Sequence, residues 1–312
     1  MERRKFLKTA ALGSVVGAIS LQSEAFAANN NVINTPAQSD YDLIAVMGGE
    51  PEVMYARAIE SFGGIKQFVK QGNRVIVKPN MGWDRLPEYA ANTNPKLVAA
   101  VIKDCLAAGA GEVAVFDNTC DEWRASYKNS GIEEAVLAAG GKILYGHEER
   151  YYRQVNIPSA KRLKTAKIHE AILDSDVWIN IPILKNHGGA RMTVSMKNYM
   201  GIVWDRRFMH SNDLQQCIAD LTLINPKPAL TIVDAYRIMT QNGPKGRSAA
   251  DVQTPKALFM GKDIVALDTA AVAFFNQYQT MPLSEVGHII IGNEMNIGTT
   301  NIDNLRINRI RI

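Results

Sequence analysis

The sequence has 312 residues, of which 46% are hydrophobic and 21% are charged, a composition typical of a globular protein and not of a disordered one. Its net charge of +4 gives no electrostatic reason to expect nucleic acid as a partner. The three cysteines are widely spaced, so the sequence encodes neither a disulfide framework nor an iron–sulfur or zinc cluster. The spacing leaves two alternatives: a Cys105–Cys120 disulfide, or buried free thiols at Cys105 and Cys217.

The first 27 residues have the pattern of a twin-arginine export signal. Residues 3–8 (RRKFLK) precede an apolar stretch over residues 9–21, and residues 25–27 (AFA) provide a small-x-small cleavage pattern. The apolar stretch is short and contains glycine and serine, so it would span a membrane poorly. We expect this signal to be removed, and an uncleaved anchor is the alternative.

The expected domain organisation follows from that cleavage. Residues 28–40 are predicted to be a polar, disordered lead-in, and residues 41–312 a single α/β domain. No later apolar run is long enough to cross a bilayer, so we expect no membrane span after signal removal. The protein is therefore predicted to be periplasmic, or otherwise exported by the twin-arginine route.

Strand and helix patterns alternate over the first half of the domain. Asn94 and Pro95 supply a cap and a first-turn proline for a helix that Gly109 ends. The predicted elements are strands over residues 74–77, 112–116 and 142–145, with helices over 95–109 and 131–139 between them. This order predicts right-handed parallel connections.

The pattern resumes after an irregular, basic stretch over residues 148–167. The predicted elements are a short helix over 168–173, a buried strand over 176–184, helices over 192–204 and 212–224, strands over 230–233 and 256–260, a helix from Asp263 to about 278, and an edge strand over 305–312. The predicted fold class is α/β, an open, mainly parallel twisted sheet with helices on both faces.

Four of the predicted strands end in polar residues. In an open parallel sheet, ligands bind beyond the carboxyl ends of the strands because loops and helix N-termini converge there. If the strands are parallel, the four polar sets lie along one rim. They are Lys78 with Asn80, Asp117, Lys185 with His187, and Asp234.

The segment from Lys185 to Lys197 contains residues that suit an anion. Lys185 and His187 are two residues apart, so in an extended segment their side chains point the same way. Thr193 and Lys197 are four apart, and we expect them on one face of a helix. Lysines with backbone amides and a helix N-terminus suit a carboxylate or a phosphate. The alternative is that the lysines form structural ion pairs with Asp117, Asp234 or Asp268.

His187 is a candidate for proton transfer or for metal binding. A metal site would need further ligands, which the sequence does not identify. The alternative is an ordinary hydrogen-bonded histidine.

A turn-rich loop over residues 241–247 is a further candidate for anion binding. Its glycines and basic residues, with Asn242 and Gly243 at its centre, could close over an anion. It lacks the Walker lysine-serine ending and the dinucleotide-binding glycine spacing. An ordinary exposed loop is the alternative.

These motifs together resemble the family catalogued as domain of unknown function 362. The matching pieces are residues 77–80 (VKPN), 180–187 (NIPILKNH), Thr193, 196–201 (MKNYMG), 233–235 (VDA), 242–244 (NGP), Gly246, 261–263 (GKD), Ala266 and Asp268. The resemblance implies no settled reaction, although members often carry ferredoxin-like cluster motifs and occur in redox contexts. This sequence lacks the cluster cysteines, so we expect no iron–sulfur cluster.

The sequence as a whole predicts an exported enzyme that acts on an anionic small molecule in a redox-related pathway. The alternative is a non-catalytic binding or maturation partner of an exported redox protein. The residues identify no cofactor. His187, Asp117 and Asp234 are the candidates for handling protons or a metal. The expected ligand-binding residues are Lys78, Asn80, Lys185, Thr193, Lys197, Asn198, Asn242 and Gly243.

Overall fold

The computed structural model describes residues 40–312. The expected export signal and nearly all of the predicted lead-in over residues 28–40 lie outside the described residues. The strands of the described part are β1 (Leu43–Met47), β2 (Arg74–Pro79), β3 (Glu112–Val115), β4 (Lys142–Ile143), β5 (Tyr152–Asn156), β6 (Thr165–His169), β7 (Val177–Ile181), β8 (Ile183–His187), β9 (Arg191–Thr193), β10 (Leu230–Met239), β11 (Val252–Gln253), β12 (Ala257–Gly261) and β13 (Ile307–Arg311).

Two of the longer helices begin with strong local signals. The Asn94 side chain accepts a hydrogen bond from the Lys96 N–H, and the Asp263 side chain accepts from the Val265 and Ala266 N–H groups. The helices of the described part are α1 (Pro51–Ser61), α2 (Pro95–Ala107), α3 (Trp123–Asn129), α4 (Ile132–Ala138), α5 (Glu170–Leu173), α6 (Ser195–Asn198), α7 (Arg207–Ser211), α8 (Leu214–Leu221), α9 (Ile264–Phe275) and α10 (Gly287–Glu294). No helix within residues 40–312 is long and apolar enough to span a bilayer.

The main sheet follows the order β13-β1-β12-β10-β7-β2-β3-β4. Only β12 along this path runs against its neighbours, pairing antiparallel with both β1 and β10. The other pairs on the path are parallel. The predicted mainly parallel α/β sheet is therefore confirmed.

Helices cover both faces of this sheet. In β2, Val75 and Val77 pack in one core with α1, α2 and α4, whereas Ile76 packs in a second core with α8 and α9. Neighbouring strand residues point to opposite faces, so a strand buried on both sides is apolar at every position. The prediction of helices on both faces is confirmed.

The segment predicted to be irregular contains a β-hairpin. Strands β5 and β6 pair antiparallel, from Tyr152 opposite His169 to Asn156 opposite Thr165. Arg153 and Gln154 are exposed, so the segment lacks the apolar alternation that marks a half-buried strand. The helix that follows begins at Glu170 and not at residue 168.

Two other predicted elements are wrong in detail. The strand over 176–184 is two strands separated by Pro182, which has no N–H to donate to a ladder. The helix over 192–204 is strand β9, the short helix α6 and a 3₁₀ turn from Tyr199 to Ile202. Thr193 pairs with Lys185 across the β8–β9 hairpin, and this pairing overrides the helical spacing.

Candidate functional site

A cavity of ≈ 490 Å³ lies beyond the carboxyl ends of β2 and β3, against the β8–β9 hairpin and α6. Seven of the predicted residues line it, and they come from five different elements or loops. They are Asn80, Asp117, Lys185, His187, Thr193, Lys197 and Asn198. The structure therefore brings most of the residues that the sequence placed on one rim together at this cavity.

A buried ion pair between Lys78 and Asp117 supports the floor of the cavity, where Asp117 lines it and Lys78 lies beneath the surface. The Lys78 Nζ lies 3.0 Å from the Asp117 Oδ1, and both side chains are almost fully buried. Burial lowers the pKa of Lys78, and the charge of Asp117 opposes that shift. The other carboxylate oxygen of Asp117 accepts the Met81 N–H at 2.7 Å. The ion pair with Asp117 that was the alternative for Lys185 and Lys197 is thus formed by Lys78 instead.

Asn198 connects the floor to the neighbouring strands. Its Oδ1 accepts from the Asn80 Nδ2 at 3.2 Å and from the Lys78 Nζ at 3.4 Å. Its Nδ2 donates to the Asn180 Oδ1 at 2.8 Å and to the Lys78 carbonyl at 3.3 Å. With donors and acceptors all engaged, Asn198 fixes the position of α6 relative to the sheet.

The first turn of α6 is held from the other side by Asp268. Its carboxylate oxygens accept the Ser195 N–H at 2.8 Å and the Met196 N–H at 3.0 Å. These are N–H groups that a helix start leaves without an intrahelical partner. Asp268 is therefore a structural support of the segment that carries Lys197, and it does not line the cavity.

Lys185 lines the cavity, although its side chain is almost fully buried. It is 1% exposed, and its Nζ donates to the carbonyls of Ala91 (2.5 Å) and Pro244 (3.0 Å) and to the Asn80 Oδ1 (3.4 Å). Burial lowers its pKa to about 7, and the charge of Lys197 adds to the shift. No carboxylate within residues 40–312 forms a salt bridge with it.

Lys197 is half-buried and lines the same cavity. Burial lowers its pKa to about 8, and the charges of Arg206 and Lys78 also lower it. No hydrogen bond or ion pair joins its ammonium to any other residue of the described chain. Lys197 therefore has an ammonium group without a partner in the described chain, and its pKa lies near neutral pH.

Arg206 is a third cation of the cavity, and sequence reasoning missed it. Its guanidinium donates to the carbonyls of Asn118 (3.0 Å) and Thr119 (2.8 Å), and it forms no salt bridge within residues 40–312. The neighbouring Arg207, in contrast, pairs with Asp205 at 3.2 Å. Lys185, Lys197 and Arg206 thus leave the cavity with an excess of positive charge.

His187 lies beside these cations as a neutral ring. Burial, followed by the charges of Lys197 and Lys185, lowers its pKa to about 2. Its Nδ1 accepts the Ala190 N–H at 3.1 Å, so in the neutral ring the Nε2 carries the hydrogen. His187 can therefore donate a hydrogen bond into the cavity, but it does not take up a proton near neutral pH.

Four predicted residues do not line the cavity: Lys78, Asp234, Asn242 and Gly243. Strand β10 continues to Met239, so Asp234 lies inside a strand, where its carboxylate accepts the Asn94 and Tyr236 N–H groups. Asn242 donates to Asp251 at 2.6 Å, and the Gly243 N–H donates to the Asn186 side chain at 3.1 Å. Within the loop over residues 241–247, Pro244 lines the cavity.

The structure also places the cysteines. Cys105 and Cys217 are buried, which confirms that prediction, and Cys120 is an exposed free thiol that lines the cavity. The sequence contained a signal that could have placed Cys120 at the cavity, because Cys120 follows the end of β3 by a few residues. Within the described chain, no three histidine, cysteine or acidic side chains are grouped so that they could hold a metal ion.

Comparison with known proteins identifies the family. The chain is 28% identical over 264 residues to the thylakoid-associated protein sll1697 of Synechocystis sp. (strain ATCC 27184 / PCC 6803 / Kazusa), and the match covers 75% of this chain and 79% of that one.

The structure of this chain is similar to that of the lactate racemase apoprotein of Thermoanaerobacterium thermosaccharolyticum, with a TM-score of 0.36 and 12% identity over 70% of this chain and 54% of the other. A Thermotoga maritima protein gives a TM-score of 0.40 and 11% identity over 79% and 60%. The chain thus spans between about half and three-fifths of the length of these two solved structures. The match to the family described as domain of unknown function (DUF362) covers residues 75–273, more than half of the sequence, and the chain belongs to that family.

Proposed function

We propose that the protein is an enzyme whose cavity binds a small anion through a carboxylate or phosphate group. The observation that carries this proposal is the set of three cations without a carboxylate partner in the described chain, Lys185, Lys197 and Arg206. Unpaired charges in a partly closed cavity are costly unless a counter-charge occupies it. A volume of ≈ 490 Å³ lies in the range of cavities that hold small ligands.

The three cations have different roles in this proposal. The protons of Lys185 are directed at protein acceptors, so Lys185 contributes charge and rigidity. Lys197 and Arg206 contact the anion directly, and the Nε2–H of His187 donates to one of its oxygens. Both charged and neutral forms of Lys197 are accessible near neutral pH, since its pKa is lowered to about 8. Lys197 is therefore the proton-transfer group that we propose.

We also propose that the protein acts outside the cytoplasm, in a redox-related pathway. The support for export is the twin-arginine pattern of residues 3–8 and the cleavage pattern of residues 25–27. The support for a redox pathway is the resemblance to family members that occur in such contexts.

Calorimetric titration with inorganic phosphate tests the anion site. Lys197→Met keeps the length of the side chain and removes its charge, whereas Lys103→Met makes the same change on the exposed surface of α2. Losing a charge-assisted hydrogen bond costs about 1.5–3 kcal/mol, so we expect the Kd to rise roughly 10- to 100-fold in Lys197→Met. The Lys103→Met protein should bind like the wild type. Absence of phosphate binding, or equal Kd values in the two variants, would contradict the proposal.

The enzymatic part is tested by incubating the mature protein with a panel of small carboxylates and phosphate esters and following their masses. Turnover by the wild type that Lys197→Met abolishes supports an enzyme. Tight anion binding without turnover of any compound, together with copurification of an exported redox protein, favours the non-catalytic partner.

A further inference from the structure

The exposed thiol of Cys120 lies inside the proposed anion site. Its backbone N–H donates to the Gly82 carbonyl at 2.8 Å, which fixes the loop after β3 against the loop after β2. Its Sγ accepts from the Arg206 Nη1 at 3.5 Å. The other two cysteines are buried, so Cys120 is the accessible thiol of the described chain.

The cations of the cavity are close enough to Cys120 to interact with it electrostatically. Lys185, Lys197 and Arg206 line the same cavity as Cys120, and the Arg206 guanidinium contacts its sulfur. A cavity with one sign of charge concentrates small ions of the other sign near its walls. An anion drawn to Lys197 and Arg206 is therefore brought to the sulfur.

A buried hydroxyl in the same wall supports the presence of a ligand independently of the cysteine. Thr193 is 2% exposed and lines the cavity, yet its Oγ1 has no hydrogen-bond partner within residues 40–312. A buried polar group left without a partner carries a desolvation cost. A bound oxygen atom in the cavity would supply the missing partner.

We propose that Cys120 is a nucleophilic thiol of this cavity, and that it reacts with small anionic electrophiles held by Lys197 and Arg206. The inference rests on the proposed anion site and names the reactive group within it. In the reaction the thiol proton passes to water, and a sulfur electron pair forms a bond to the electrophilic carbon. The leaving group departs with the electron pair of the bond that breaks. The step is a substitution and requires no oxidant or reductant.

Two alkylating reagents that differ in charge test this proposal on the mature protein. Iodoacetate is an anion and iodoacetamide is neutral; both transfer a carbon to sulfur and release iodide. The rates at Cys120 are measured by peptide mass spectrometry, and 2-mercaptoethanol provides the ratio for a neutral free thiol. We expect the iodoacetate-to-iodoacetamide ratio at Cys120 to exceed that reference by about tenfold or more, as for electrostatically steered association.

Matched variants assign that selectivity to the cavity. Lys197→Met should bring the ratio towards that of 2-mercaptoethanol, while Lys103→Met should leave it unchanged, and thermal unfolding confirms that both variants are folded. Added inorganic phosphate should protect Cys120 from iodoacetate. A ratio no larger than the reference, or one that Lys197→Met does not lower, overturns the proposal. If phosphate still binds the wild type in calorimetry, only the role of Cys120 fails; if it does not, the anion site fails as well.

Discussion

Gly201 is the position where one added carbon should disrupt the floor of the cavity. A Cβ at this residue would lie 1.9 Å from the Asp117 Oδ1 and 2.5 Å from the Lys78 Nζ. Neither atom can move away freely, because Asp117 also accepts the Met81 N–H and the Lys78 ammonium also donates to the Pro79 carbonyl. Gly201→Ala therefore separates a buried ion pair or displaces the turn that faces it. Breaking such a pair costs about 3–5 kcal/mol.

The predicted loss is large enough to measure by thermal and urea unfolding. At roughly 2–4 °C per kcal/mol, the expected fall in Tm is roughly 6–20 °C. Gly188→Ala is the matched control, since a Cβ there would have its nearest neighbour, the Gly243 carbonyl oxygen, at 3.9 Å. If the unfolding free energy of Gly201→Ala lies within about 1 kcal/mol of that of this control, the Lys78–Asp117 ion pair is not as rigid as its contacts imply.

Four further outcomes are expected. Lys185→Met removes the donor to the buried Ala91 carbonyl and to the partly buried Pro244 carbonyl, and it should cost about 1–3 kcal/mol of unfolding free energy in urea. A loss below about 0.5 kcal/mol would contradict the burial of its ammonium. Sulfate stays a dianion near neutral pH, so its affinity by calorimetry should fall as the pH rises through about 7 and about 8, where Lys185 and then Lys197 lose their charges. An affinity that does not change from pH 6 to 10 would refute the role of these lysines. Arg3→Lys with Arg4→Lys should retain the precursor inside the cell, and normal yields of mature protein outside it would disprove the export signal. Analysis for iron and acid-labile sulfide should find no cluster, and cluster stoichiometry in the monomer would contradict the cysteine argument.

The sequence predicted the part of the site that depends on strand ends. Lys78, Asp117 and Lys185 directly follow or end apolar runs, and parallel strands bring such ends to one rim. The alternation of Lys185 and His187 along β8 also placed both side chains on the cavity. These inferences use only chain direction and a period of two, which a single sequence contains.

Other residues depend on distant contacts that no local pattern records. Asp234 follows an apolar run, but pairing of β10 with β12, β8 and β11 continues the strand beyond it and removes it from the rim. Thr193 was assigned to a helix, whereas its pairing with Lys185 holds it in a strand. Arg206 reaches the cavity from a loop more than eighty residues after Asn118, whose carbonyl it contacts. Its charge alone could not distinguish it from a solvent-exposed arginine.

The pairing of the strands at the other end of the sheet bears on the order in which the chain can fold. Strand β1, near the start of the described residues, pairs with β12 on one side and with β13 on the other. Both partners are synthesised more than two hundred residues after it, so β1 keeps two open hydrogen-bonding edges until residues 257–261 and 307–311 have been made. Open edges invite pairing with other chains, and such long-range closure is slow. A chain interrupted before residue 257 would therefore be an aggregation-prone fragment and not a smaller stable domain.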